Sequence, residues 1–207
     1  ADVMVLSTDT LIYGGLVDSR KHNLPLSTLE NRLKRIEALK ANHKNTRIYG
    51  FGTVMRSPRA SGGGTEPSYY ADYGPTIFQI AALQDKLDAG TLTQAETQKL
   101  MSLQASVPVE YLQDWFSRRQ KNMQVNKDLI DEARNGVFAY FALGHDDTSQ
   151  LSQSALEGRY LNQYSKGIPR TQYGSFPGAD QLGLLLMARS RTDESAEKPT
   201  FSVIYPL

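Results

Sequence analysis

Cysteine is absent from this chain, and that absence excludes three kinds of site at once. Without a thiol the protein can form no disulfide, no thiolate nucleophile and no cysteine-ligated metal centre. Histidine is scarce as well, with only His22, His43 and His145 along 207 residues. These three do not show the H-x-x-x-H spacing on a helix, so a zinc protease of the H-E-x-x-H type is also excluded.

Net charge and long apolar runs are lacking too. The 23 lysine and arginine residues nearly balance the 22 acidic residues, which leaves a formal net charge of +1. No overall field therefore attracts nucleic acid, and we expect no nucleic-acid partner. The longest apolar runs, at residues 137–144 and 182–188, are far shorter than the roughly 20 residues that cross a bilayer. We expect a soluble protein without a membrane span, either cytoplasmic or exported.

Short runs rich in Val, Ile, Phe and Tyr predict strands at residues 3–8, 47–54, 137–144, 171–176 and 201–205. The third run is apolar almost throughout, which is typical of a strand covered on both faces in a parallel sheet. Helical patterns separate the runs, so the predicted fold class is α/β, with parallel strands and crossover helices. We favour part of a (β/α) barrel, similar to a TIM barrel, over an open doubly wound sheet that shares this local pattern.

The helical segments predict one domain with an insertion. Ser27 and Glu30 suggest a capping box at the start of a crossover helix whose apolar stripe falls at positions 29, 33, 36 and 39. A helical insertion is predicted over residues 75–135, with helices at 77–87, at 94–103 and from 109 onward, and a further helix at 180–188. Gly136 is expected to end the insertion as a helix C-terminal glycine. Because the chain begins directly on a strand, we interpret residues 1–207 as a single domain from a longer protein.

Adjacent acidic residues follow the third strand, in the step Gly144-His145-Asp146-Asp147. Ligands of parallel βα folds bind beyond the carboxyl ends of the strands, so this step lies where a site is expected. Two neighbouring carboxylates can be held in different environments, which separates their pKa values and their roles. We predict that Asp147 is a catalytic general acid and that Asp146 is the catalytic group that orients the substrate. Alternatively, one of them only caps a helix that starts near Thr148.

Other polar residues that follow the strands are predicted to contact substrate: Asp9, Tyr13, Arg20, Arg56, Arg59, His145 and Asp180. The arginines suit a carboxylate, a phosphate or an acidic sugar, although ion pairing within the protein and plain solvation are alternatives. Tyrosines at positions 69, 70 and 73 either stack on a sugar ring or pack at the edge of the insertion. The glycine-rich residues 61–64 lack the Lys-Ser/Thr ending of a nucleotide loop and are predicted to form a lid.

Three segments carry a resemblance to a known family. The string DTLIYGGLVDSR at residues 9–20 resembles the signature of an uncharacterised bacterial family, the domain of unknown function 4127. LGHDD at 143–147 and PGADQ at 177–181 are similar to later segments of that family, in the same order, but Gln181 stands where the family pattern has an acid. The resemblance implies a longer bacterial protein with a further N-terminal acidic and arginine-containing motif, and it brings no established activity.

The leading functional hypothesis is a carbohydrate-active hydrolase that needs no cofactor and uses the acid pair on a small-molecule or glycan ligand. A second hypothesis is a hydrolase that depends on a divalent metal ion bound by Asp9, His145, Asp146 and Asp180. A third is a non-enzymatic module that binds a glycan or an anionic metabolite. All three require Asp9, Arg56, Asp146 and Asp180 to meet at one edge of a parallel sheet, and the oligomeric state stays open.

Overall fold

The computed structural model describes residues 2–60, 64–195, 200 and 202, and within them the chain forms a parallel four-stranded sheet. Its strands are β1 (Val3–Ser7), β2 (Arg47–Val54), β3 (Tyr140–His145) and β4 (Tyr173–Pro177). All three neighbouring pairs are parallel, which confirms the predicted α/β class. The predicted fifth strand at 201–205 lies outside the described residues apart from Ser202.

The strands lie side by side in chain order, β1-β2-β3-β4. In a doubly wound sheet the order reverses at a switch point, whereas a barrel adds each new strand on the same side of the last. The described strands show no reversal, so their order agrees with a segment of a barrel. Closure into a barrel stays a prediction.

Helices connect and cover the strands. Two short helices, α1 (Thr8–Tyr13) and α2 (Leu16–Ser19), follow β1, and α3 (Leu26–Asn42) crosses to β2. The insertion between β2 and β3 contains α4 (Tyr70–Asp88), α5 (Gln94–Ser106) and α6 (Val109–Arg134). The remaining two are α7 (Gln153–Tyr164) between β3 and β4, and α8 (Leu182–Glu194) after β4. None of the helices within the described ranges is long and apolar enough to span a membrane.

Several predicted boundaries were wrong for local reasons. The first strand ends at Ser7, whose side chain accepts a hydrogen bond from the Thr10 amide and so caps α1. The predicted Ser27 to Glu30 capping box does not form, because α3 already begins after Pro25 and has no side-chain cap. A capping box does form at the start of α5, where Thr93 and Glu96 bond reciprocally.

Helix α4 begins at Tyr70 and passes through Pro75, where the sequence predicted the insertion to start. Pro75 is the sixth residue of α4, beyond the first turn, so the helix lacks the backbone hydrogen bond that this position would otherwise donate to the carbonyl oxygen of Ala71. Gly136 adopts a positive φ of 78° directly after the Asn135 C-cap of α6, as predicted. The third strand starts at Tyr140, later than predicted, because this turn occupies the residues between α6 and β3.

Both faces of the sheet are covered, as the apolar third run predicted. Alternate residues of the central strands point to opposite sides, so Phe141 and Leu143 pack with Leu29 and Leu129 in the larger core. On the other face a smaller cluster joins Tyr49, Tyr140 and Ala142 to Leu182 and Leu186 of α8. The larger core occupies the same face as α3, α6 and α7, and each large side chain it buries stabilises the fold by about 1.5–3 kcal/mol.

The helical insertion has a core of its own around Trp115. Tyr70 stacks on Trp115 with ring centroids 6.4 Å apart, and Tyr69 and Tyr73 both contact Tyr111, at 4.7 and 5.5 Å. These three tyrosines therefore pack within the insertion, which is the alternative that the sequence left open.

Candidate active site at the carboxyl ends of the strands

A buried ion network joins the loops that follow the first three strands. Arg20, at the end of α2, places Nη2 2.5 Å from Oδ2 of Asp146 and Nη1 3.7 Å from Oε1 of Glu66. Arg56 reaches the same Oε1 of Glu66 with its Nε at 2.6 Å. Arg20 and Glu66 are almost fully buried, so each charge has lost its water and depends on the others. The network shows that Arg20, Arg56 and Asp146 meet at one edge of the sheet.

Asp9 lies near this network, in the first turn of α1, and is only 4% exposed. Its Oδ2 accepts a hydrogen bond of 2.8 Å from the hydroxyl of Thr53 on β2. Burial raises the pKa of Asp9 to about 7, with a small further increase from Asp146 that Thr53 and Arg20 oppose. Asp9 therefore changes protonation near neutral pH, and its pKa depends on the charges of Asp146 and Arg20.

Asp146 and Asp147 are adjacent in sequence but bind different partners. Asp146 pairs with Arg20, whereas Asp147 lines an open cleft and is held by backbone amides. Its Oδ1 accepts from the amide of Ser149 at 2.9 Å and its Oδ2 from the amide of Ser57 at 3.3 Å. Neither aspartate caps the next helix, because α7 begins at Gln153 and Ser152 provides the cap. The capping alternative was therefore wrong.

The cleft has a volume of about 320 Å³ and lies between the ends of β3 and β4 and the side of α7. Its lining includes His145, Asp147, Ser149, Arg159, Ser175 and Phe176. Pockets of this size hold small molecules or one end of a larger ligand. The position, beyond the carboxyl ends of two parallel strands, is the one expected from the fold.

His145 and Ser175 face each other across the cleft wall. His145 Nε2 lies 2.6 Å from the Ser175 hydroxyl oxygen, and burial lowers the pKa of His145 below its ordinary value of 6.5. The imidazole also packs tightly against Gly158 of α7, where an added Cβ would lie 2.6 Å from His145 Cε1. His145 is thus a neutral, closely held side chain at neutral pH.

The other predicted contact residues lie elsewhere. Tyr13 is buried in the larger core and stacks on His22 with ring centroids 5.0 Å apart, and burial raises its pKa well above the ordinary value. Arg59 is exposed, with its guanidinium 5.3 Å from the centre of the Phe78 ring. Asp180 is exposed beyond β4 and forms no hydrogen bond or ion pair with the Arg20 network in the part of the chain described. Of the four residues expected to meet, Asp9, Arg56 and Asp146 lie at the network, and no described contact joins Asp180 to them.

Two structural features of the candidate site were missed from the sequence. Glu66 joins Arg20 to Arg56, although the sequence assigned it no role. A buried ion pair joins Arg119 of α6 to Glu157 of α7. Arg119 also donates to the carbonyl oxygens of Met55 and Arg56, so it holds the loop that carries Arg56. The partners are far apart along the chain, and no local pattern indicates them.

Metal-binding groups are not assembled at this edge. Across residues 2–60, 64–195, 200 and 202, no group of three or more His, Asp or Glu side chains is close enough to hold a metal ion. The predicted set of Asp9, His145, Asp146 and Asp180 is divided between the buried network, the cleft wall and the exposed loop after β4.

The fold and the site define a class: a parallel α/β protein with an acidic and basic edge at the carboxyl ends of its strands. The chain belongs to the family described as "Protein of unknown function (DUF4127)", whose model matches residues 1–207. This match confirms the family that the three sequence segments indicated. Comparisons with curated proteins and with solved structures gave no match.

Proposed function

We propose that this protein is a carbohydrate-active hydrolase whose substrate enters the cleft between β3, β4 and α7. The observation that carries the proposal is the separation of two neighbouring carboxylates into different environments. Asp147 lines the cleft, while Asp146 is held in the ion pair with Arg20. A hydrolase that cleaves a glycosidic bond needs one acid that reaches the leaving oxygen and one group that stays ionised and oriented.

In this proposal Asp147 donates a proton to the glycosidic oxygen as the bond to the sugar carbon breaks, and Asp146 orients the substrate or its acetamido group. Arg20 and Asp9 are buried and influence the substrate only through the charge and position of Asp146. Arg20 forms an ion pair with Asp146, and Asp9 interacts with it electrostatically. Arg56 keeps 28% of its side chain exposed and remains available to an anionic group of the ligand. Phe176, which is 37% exposed on the cleft wall, offers an apolar face for a sugar ring.

Replacing Asp147 by Asn tests the proposal. We expect turnover of the best substrate in a panel of aryl glycosides to fall at least about 100-fold, because Asn has no proton to donate. Initial rates with the purified protein measure this, and circular dichroism checks that the variant folds. Asp72→Asn, at an exposed carboxylate on α4, is the matched control and should keep the wild-type rate.

Equal rates for the wild type and Asp147→Asn would contradict the proposed role. If the wild type turns over no glycoside but a sugar raises its melting temperature, the cleft binds carbohydrate without cleaving it. That outcome would overturn the hydrolase and support the binding module.

A further inference from the structure

The hydrogen bond between Ser175 and His145 joins two reactive side chains on the wall of the cleft. We propose that these residues form a nucleophile and general-base pair that cleaves small O-acyl esters. This activity goes beyond glycoside cleavage and does not depend on it, because Asp147 takes no part in the acyl transfer.

The sheet itself creates the pair. Ser175 of β4 lies opposite Leu143 of β3, and His145 is two residues further along β3, so both side chains project from the same face. Beyond them, the Gly178 amide donates a hydrogen bond of 2.7 Å to the His145 carbonyl oxygen and joins the ends of the two strands. Gly158 of α7 leaves room for the imidazole, since an added Cβ would lie 2.6 Å from its Cε1.

Both side chains have the properties that the chemistry needs. Ser175 and His145 are partly exposed and line a cleft of about 320 Å³, which leaves a substrate access to the hydroxyl. Burial keeps the imidazole neutral at pH 7, so one ring nitrogen is free to accept a proton. For the pair to act, Nδ1 carries the hydrogen and Nε2 accepts the hydrogen of the Ser175 hydroxyl.

The reaction balances with water as the second reactant. As Ser175 Oγ bonds to the acyl carbon, its proton moves to His145 Nε2, and the carbon bond to the alcohol oxygen then breaks. The imidazolium returns that proton to the departing alcohol. Water next attacks the acylated serine, giving one proton to Nε2, and the carboxylic acid leaves as Ser175 regains its hydrogen. The products are one alcohol and one acid.

The size of the cleft suits an ester with a short acyl group. A volume of about 320 Å³ lies at the low end for pockets that bind small ligands. Acetyl-sized esters are therefore the first choice, and 4-nitrophenyl acetate is a suitable probe. A fluorophosphonate, which phosphorylates activated serine hydroxyls, reports the nucleophile independently of any substrate.

The test combines both probes with two variants of the purified protein. In the wild type we expect fluorophosphonate labelling at Ser175, found by peptide mass spectrometry, and hydrolysis of 4-nitrophenyl acetate. Ser175→Ala should lose the label and at least about 100-fold of the ester turnover. His145→Gln keeps a hydrogen-bonding group beside Ser175 but cannot take the proton. The rates of labelling and of ester turnover should therefore fall about as far as in Ser175→Ala, while the melting temperature is retained.

The pH profile separates a base from a structural hydrogen bond. Ester turnover by the wild type should rise with pH and reach half its maximum below pH 6.5, because the lowered pKa of His145 sets the fraction of free base. Ser117→Ala, at an exposed serine on α6, is the matched control and should leave labelling and turnover unchanged.

Three results would overturn the proposal: no label on the wild type, a label on a different serine, or unchanged ester turnover in a folded Ser175→Ala variant. Each is independent of the glycoside assay. Asp147→Asn should retain fluorophosphonate labelling, so failure of one proposal is distinguishable from failure of the other.

Discussion

Replacing Arg119 by Met is expected to lower the free energy of unfolding by about 3–5 kcal/mol, because it leaves the carboxylate of Glu157 buried without its partner. Arg119 is 1% exposed, and its Nε and Nη2 bind the two oxygens of Glu157 at 2.8 and 2.7 Å. Its guanidinium also stacks 4.7 Å from the centre of the Trp115 ring. Met keeps the length and apolar stem of the side chain, so loss of the charge is the main change.

Chemical denaturation at neutral pH measures this effect. Arg47→Met is the matched control, because Arg47 pairs with Glu194 at 2.7 Å but both side chains are more than a third exposed. We expect the control to change stability by less than about 1 kcal/mol. The double variant Arg119→Met with Glu157→Leu should recover much of the loss, since no unpaired charge remains. A loss below 1 kcal/mol in Arg119→Met alone would contradict the role of this buried pair.

Replacing Asp9 by Asn is expected to stabilise the protein at alkaline pH. The folded-state pKa of Asp9 is about 7, above its ordinary value of 3.8, so the folded state retains a proton that the unfolded state has lost between these values. Stability from this group is therefore complete below about pH 4 and decreases as pH rises to about 7, by about 4 kcal/mol in total. Asn is neutral throughout and can still accept the hydrogen bond from Thr53.

Denaturation curves at pH 4 and pH 8 measure the difference. Asp9→Asn should equal the wild type at pH 4 and be more stable by up to about 4 kcal/mol at pH 8. Asp72→Asn, which removes an exposed carboxylate, should show no such pH dependence. If Asp9→Asn is no more stable than the wild type at pH 8, the carboxyl is not destabilised by burial.

The fold class follows from local patterns that the structure confirms. Continuous apolar runs predicted parallel strands covered on both faces, and β3 is buried through Gly144. The predicted starts of the second and third insertion helices, at residues 94 and 109, coincide with those of α5 and α6. Gly90, Pro108 and the helical composition of the residues around them indicate these starts without help from the rest of the fold.

The candidate site was predicted in outline. Because parallel strands deliver their carboxyl ends to one edge, the sequence could indicate that Asp9, Arg56 and Asp146 would meet. It could not indicate which arginine pairs with which acid, and it assigned no role to Glu66. Asp180 follows the edge strand β4, where no further described strand brings a loop beside it, and it remains exposed.

By itself, the sequence determined that this protein is a parallel α/β protein of an identifiable family, with charged residues at the carboxyl ends of its strands. Only the tertiary structure decided that Asp146 forms an ion pair with the buried Arg20, that Asp147 lines a cleft, and that Ser175 contacts His145. Apolar periodicity and capping act over a few residues and can be read locally. Ion pairs such as Arg119 with Glu157 depend on which distant segments pack together, and no local sequence pattern indicates that packing.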